Sequence, residues 1–233
     1  MKIDIPDRIF GADVNGAMKR ILGEENKEQS QPQQNQTPKH YPMTKIPGFI
    51  YIPSVDLYFQ KEKQFNNCNW HQAHVKLQER GLRMPTIEEF RQFLSYLKYN
   101  PSAENTGIYN EITEVRKPAR VEWLDAGFQK QYDGLYIITK NQTKEEKLDD
   151  YLMENKIPGI DFDEWLNDAT KQGLPKSGIK KGDLWYWKPI DGYVSRFYAN
   201  SSMVCLFFNG SHGDSASNLW VRGVLEGAGA KTK

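Results

Sequence analysis

Cysteine is scarce in this chain. There are two among 233 residues, Cys68 and Cys205, too few and too far apart for a disulfide-rich secreted scaffold or a four-cysteine zinc site. An excess of charge is also missing. The chain has 31 Lys+Arg against 30 Asp+Glu and a formal net charge of +1, which argues against a dedicated nucleic-acid binder. No run approaches the roughly 18 consecutive apolar residues of a membrane span. The opening MKIDIPDRIF lacks the apolar stretch of an ordinary signal peptide. Neither membrane insertion nor a signal peptide is expected, and nucleic acid is not expected as a partner. The phosphate-binding patterns G-x-x-x-x-G-K-[ST] and strand-linked G-x-G-x-x-G are absent, as is the G-x-S-x-G nucleophile elbow. No internal repeat or heptad pattern is found. Asn-x-Ser/Thr at Asn35, Asn141, Asn200 and Asn209 reads as chance without a secretory signal. What the chain does have is aromatic residues, 12% of the total, with 6 Trp, 12 Tyr and 11 Phe. Its length suits one ordinary domain with a tail.

Residues 1–23 form an N-terminal segment in which Val14, Met18, Ile21 and Leu22 fall at helical spacing. Residues 24–40 contain no apolar side chain and are rich in Gln, Asn and Glu. Such a stretch buries too little to offset its ordering entropy, so it is expected to be a flexible linker. The folded body is placed at 41–226, with 227–233 a disordered tail. IPGFIYIPSVDLYFQ predicts one or two short strands. Asn69 is a candidate N-cap for a helix whose face is Trp70, Ala73, His74 and Leu77, with Gly81 as its C′ residue. Thr86 and Glu89 make a capping box, and Phe90, Phe93, Leu94 and Leu97 follow at i, i+3, i+4, i+7, the pattern of a second helix. Beyond Asn100-Pro101 the chain reads as loop-rich, with short strands at VEWLDAGF and GLYIIT. The run Lys144–Asp150 reads as a solvated helix or loop. Asp161 caps a short helix through Glu164, Trp165 and Leu166 that Gly173 closes.

Few residues suggest catalysis. His71 and His74 share a helix face near Cys68, but no third ligand stands at motif spacing, so no metal site is expected. Glu122 with Asp125, and Asp161 with Asp163 and Glu164, are carboxylate clusters without the spacing of a specified acid/base couple. Cys205 lies in the apolar run MVCLFF, the setting of a strand residue rather than of a reactive thiol. The C-terminal stretch differs from the rest. Between Leu184 and Trp220 the only charged residues are Lys188, Asp191, Arg196 and Asp214, while Trp, Tyr and Phe are interleaved with Ser, Asn and Gly. Rigid aromatics among small adaptable polar residues are the composition of a binding surface.

Three segments, in order, resemble the formylglycine-generating-enzyme branch of the C-type-lectin-like fold. They are Gly81-Leu82-Arg83-Met84-Pro85-Thr86-Ile87-Glu88-Glu89-Phe90, Glu122-Trp123-Leu124-Asp125-Ala126, and the tail from Val204-Cys205-Leu206-Phe207-Phe208-Asn209-Gly210 to Leu219-Trp220-Val221-Arg222-Gly223-Val224. The resemblance covers roughly residues 45–225. Within that branch the chain is most similar to the variable proteins of diversity-generating retroelements, in which an error-prone copy of a template rewrites the 3′ end of the gene. The resemblance implies an α+β, C-type-lectin-like fold with two main helices and short, irregular antiparallel strands. It also implies a variable region near 190–218 that binds a protein or glycan ligand on a cell surface, displayed on a virion or cell. The implied variable, ligand-binding positions are Tyr193, Ser195, Arg196, Tyr198, Cys205, Phe207, Asn209, Ser211, His212, Asp214, Ser215 and Ser217. Trp185, Trp187, Trp220 and Arg222 are assigned to the scaffold. The chain departs from the enzymes of the branch in having no second cysteine beside Cys205, and it lacks the Glu-Pro-Asn or Gln-Pro-Asp sugar motif of calcium-dependent lectins. Neither catalysis, a cofactor nor calcium is therefore expected. The alternatives are a metal-dependent oxidase of this fold and a structural virion or fibre component that oligomerises through residues 1–23.

Overall fold

The computed structural model describes residues 8–9, 12–13, 45–141 and 144–227. The expected helix around Val14–Leu22, the linker 24–40 and all but the first residue of the tail lie outside them. The chain divides into two units, Met1–Pro42 and Met43–Lys233. In the first, β1 (Arg8–Ile9) pairs antiparallel with β2 (Ala12–Asp13).

The second unit is mixed α and β. β3 (Phe49–Ile52) and β4 (Leu57–Gln60) form a hairpin, as the alternation around them predicts. α1 (Trp70–Gln78) starts at Asn69, whose side chain accepts from the Gln72 amide while Gln72 returns a bond to the Asn69 amide. Its buried face is the expected one, Trp70, Ala73, His74 and Leu77. α2 (Ile87–Tyr99) starts with the reciprocal Thr86/Glu89 capping box and buries Phe90, Phe93, Leu94 and Leu97. The region expected to be loop-rich instead opens with α3 (Ala103–Thr113), capped by Ser102 on the Asn105 amide. Only Ile112 of α3 is buried, so almost no apolar stripe marks it in the sequence.

β5 (Arg120–Gln131) and β6 (Gly134–Thr139) contain the two expected strands. The charged run is a correction: Lys144–Lys147 is the edge strand β7, paired to β6, and Asp150–Leu152 is a 3₁₀ turn. An edge strand with one solvated side tolerates charge, and charge there discourages further pairing. β8 (Lys156–Ile160) leads into α4 (Phe162–Asn167), where Asp161 caps the Glu164 amide. α4 stops at Asn167, ahead of the expected end near Gly173. The chain closes with β9 (Leu184–Trp187), β10 (Val194–Ala199), β11 (Val204–Gly210), β12 (Leu219–Val221) and β13 (Val224–Glu226).

The large sheet has the order β7-β6-β5-β10-β11-β9-β8, with β12 also paired to β5; β13-β4-β3 form a second sheet. Two pairings, β11 with β9 and β12 with β5, are parallel. The expected α+β class holds, while the expected two main helices and short antiparallel strands are extended: four helices occur among the described residues, two pairings are parallel and β5 is 12 residues long. Both faces of β5 are covered, which is why its burial does not alternate. On one face the main core gathers α2 with Leu124, Phe197, Leu206 and Phe208. On the other, α1 packs through Trp70 and Leu77 onto Val121, Trp123, Leu219 and Val221. No helix among the described residues is long and apolar enough to cross a membrane.

Arg222, fully buried, joins these layers. Its Nε and one terminal nitrogen donate to the Glu122 carboxylate at 3.1 and 2.9 Å, and the other terminal nitrogen donates to the carbonyls of Gln60 (3.0 Å) and Lys61. Removing one partner of a buried pair strands the other charge. Arg222→Leu is therefore expected to cost about 3–5 kcal/mol in denaturant unfolding, with Glu122→Leu added to it restoring part of the loss. The opposite sign is expected at Gly107 in α3, where an added Cβ meets nothing within 4 Å. Gly107→Ala should raise stability by about 0.5–1 kcal/mol in the same measurement.

Candidate functional site

The register of the C-terminal strands places their outward side chains in rows. Residues directly opposite on paired strands share a face. Trp185 on β9 lies opposite Cys205 on β11, which lies opposite Tyr198 on β10, which lies opposite Val121 on β5. The next row is Trp187, Phe207, Arg196 and Trp123. α1 covers the β5 end of this face and leaves the β9–β11 end uncovered. There Trp185, Trp187, Arg196, Tyr198, Phe207 and Asn209 are all half-buried.

The uncovered side chains touch one another. The rings of Trp187 and Phe207 are 6.2 Å apart, as are those of Tyr198 and Phe207. The Arg196 guanidinium stacks over Trp123 at 4.5 Å and lies 5.7 Å from the Phe207 ring. It donates to the Ser211 carbonyl at 3.2 Å and pairs with Asp214. Arg196 is thus the joint between the aromatic rows and the 211–218 loop. Gly210 makes room for it, because a Cβ at that position would stand 2.3 Å from the Arg196 Nε. Asn200 donates to the Tyr198 hydroxyl at 2.9 Å and fixes that ring.

The 211–218 loop is tied down on its other side by α1 and the segment before it. The Trp70 amide donates to the His212 carbonyl (3.2 Å) and the Asn67 amide to the Ala216 carbonyl (3.1 Å). The His71 and His212 rings meet edge-on at 5.3 Å. Behind them His74 is buried, with its Nε2 3.4 Å from the Asp125 carboxylate and no hydrogen bond to either ring nitrogen. Asp125 spends its two oxygens on the amides of Lys140 (2.9 Å) and Asn141 (3.0 Å).

Of the residues assigned to the variable surface, Arg196, Tyr198, Phe207, Asn209 and Ser211 are half-buried on this face or its rim. Tyr193, His212, Asp214, Ser215 and Ser217 are exposed. Ser195 and Cys205 are corrections, since both are fully buried and can contact no ligand. The pairing of β10 shifts register between Val194 and Arg196, an irregularity that turns Ser195 inward, where its hydroxyl donates to the Leu124 carbonyl at 3.3 Å. Cys205 stands between the larger Trp185 and Tyr198 of its row. Burial pushes its thiol pKa well above the ordinary range, which keeps it protonated. Trp185 and Trp187 were assigned to the scaffold yet stand on the face. The signal was present in LWYW, where Leu184 and Tyr186 are buried and the tryptophans alternate with them. Arg222 is scaffold, as expected. Trp220 is half-buried beside Lys63, away from this face in a separate groove of about 420 Å³.

The other groups weighed for chemistry are committed elsewhere. Glu122 holds Arg222, Asp161 caps α4, and Cys68 is buried with Lys76 donating to its sulfur at 3.0 Å. No group of three or more His, Cys, Asp or Glu able to hold a metal occurs among the described residues. The aromatic rows and Arg196 offer stacking, cation–π contact and hydrogen bonding. Searches against protein-family models, curated proteins and solved structures find no match to the chain.

His71, whose ring meets the loop at His212, makes this end of the fold sensitive to acid. The His71 pKa lies below its ordinary value because desolvation penalises the imidazolium, with Lys140, His212 and His74 adding positive charge. The unfolded chain then binds this proton more readily than the folded one, so stability falls as pH drops through the unfolded value of about 6.5. The denaturant midpoint is expected to decrease between pH 7 and pH 5, and to decrease less in His71→Gln. An unchanged pH slope in that variant would refute the assignment.

Proposed function

We propose that this protein binds a ligand through the face formed by β9, β10, β11 and the 211–218 loop. The scaffold is C-type-lectin-like, and the face is diversified as in the variable proteins of diversity-generating retroelements. The observation that carries the reading is the segregation of two residue sets. Arg83, Glu89, Glu122 and Arg222, from the segments that resemble the family, bond to one another or to backbone as the frame. Trp187, Arg196, Tyr198 and Phe207 form one continuous outward patch. Large aromatics and Arg dominate binding hot spots, and here a rim of small polar side chains surrounds them. The partner is a protein or glycan presented on a cell surface.

Binding rather than catalysis is the role assigned. The nearby carboxylates Glu122 and Asp125 are held by Arg222 and by backbone amides, and the Cys205 thiol is protonated.

The test is genomic. A near-copy of the codons for about 190–218 should lie beside a reverse-transcriptase gene, differing from the gene at template adenines. The differences should fall on outward codons such as those of Tyr193, Tyr198, Phe207 and Ser215, and spare Ser195 and Cys205. Sequencing of the flanking DNA that finds no such copy would overturn diversification.

A further inference from the structure

A second surface is set apart by its charge. A groove of about 450 Å³ lies between β8 and residues 176–181, lined by Lys156, Lys176, Lys180 and Lys181 and by no carboxylate. In a chain of net charge +1, four lysines in one groove with no carboxylate in its lining are a local excess that draws anions. Lys176 pairs with Asp168 at 2.5 Å and Lys180 approaches Glu164 at 4.0 Å, both outside the groove lining. Exposed pairs of this kind are worth about 0–1 kcal/mol and exchange readily for a ligand anion. Lys156 and Lys181 have no ion-pair partner among the described residues.

The backbone beneath the lysines is pinned. Ile160 bridges to Lys181, the Asp161 amide donates to the Lys180 carbonyl at 2.8 Å, and the Gly182 amide donates to the Gly159 carbonyl at 3.2 Å. Gly159 permits this, because at φ +142° an added Cβ would stand 2.4 Å from the Leu184 carbonyl oxygen. Lys156 therefore projects from β8, and Lys180 and Lys181 from a segment bonded to the end of that strand. Beside them lie Tyr151, Ile157 and Ile179, and Ile157 is 50% exposed.

We propose that this groove binds an anionic saccharide unit, a sugar ring bearing sulfate or carboxylate groups. Its volume falls in the range of small-ligand sites, about 300–1,000 Å³. The apolar and aromatic side suits the C–H face of a sugar ring, and Asn155 supplies an amide for hydroxyls. Lysines are point charges on flexible stems and serve anionic groups at several angles, where arginine forks would select one planar geometry. A single-stranded nucleic acid would require several stacking platforms, and Tyr151 is the only aromatic in the lining. A bilayer would require a protruding apolar surface, and this one is concave.

The inference is independent of the aromatic face. The test is isothermal titration of the full chain, at low ionic strength, with a heparin-derived tetrasaccharide and with a galacturonate tetramer. Saturable binding of at least one is expected, and the one bound distinguishes sulfate from carboxylate. Lys156→Glu/Lys181→Glu should weaken it about tenfold or more. Lys117→Glu/Lys130→Glu, which changes net charge equally outside the groove, should alter it less than about twofold. Phe207→Ala should leave it unchanged. Absence of binding to both probes, equal loss in the two double variants, or tighter binding of single-stranded DNA or anionic vesicles would overturn the proposal.

Discussion

Arg222 has no exposure to solvent, so its five N–H donors must find acceptors inside the protein. They find them on separate elements: Glu122 on β5, the carbonyls of Gln60 and Lys61 at the end of β4, and Glu111 on α3 at 3.4 Å. Arg222 sits between β12 and β13, and those strands pair with β5 and β4 respectively. The buried charge thus sets how both sheets meet. A slip of one residue in either strand would bury Glu122 or Arg222 alone, at a cost larger than the pair itself contributes. The pair acts on register more than on net stability. Arg83 repeats the device nearby, holding Glu89 of the α2 capping box through two bonds and Glu226 of β13 through a third.

The legible parts of the fold were those written in local chemistry. Asn69 and Thr86 announce their helices because a cap needs a side-chain oxygen three residues ahead of a free amide, a rule that involves no distant contact. α2 adds an apolar stripe and could hardly be missed. α3 has a cap at Ser102 but no stripe, and Gly107 in its middle, so neither periodicity nor propensity marks it. β7 is a strand because β6 offers an edge to it, which KEEK cannot reveal. The same distinction governs the candidate site. Arg196, Tyr198 and Phe207 alternate with buried Phe197, Ala199, Leu206 and Phe208, a period of two that the sequence carries. Ser195 was misplaced by a register irregularity that depends on β5 and β11, and Cys205 by the size of its cross-strand neighbours.

The frame and the face meet at Trp123. One side of its surroundings is core, through the Cys68 carbonyl that accepts its indole N–H at 3.0 Å, and over its ring lies Arg196. A position can vary freely only if it contributes little to folding, and exposed substitutions typically change stability by less than about 0.5 kcal/mol. Tyr193, His212, Ser215 and Ser217 satisfy that condition by exposure. Arg196 does not, because it holds the Ser211 carbonyl and Asp214 while covering a buried indole. Its aliphatic stem and guanidinium keep water from Trp123, so a smaller residue there would open the core as well as alter the face. Under the proposed reading, diversity on this scaffold would therefore be graded rather than uniform. It would be widest along the loop, constrained where the aromatic rows touch Arg196, and excluded at Ser195 and Cys205.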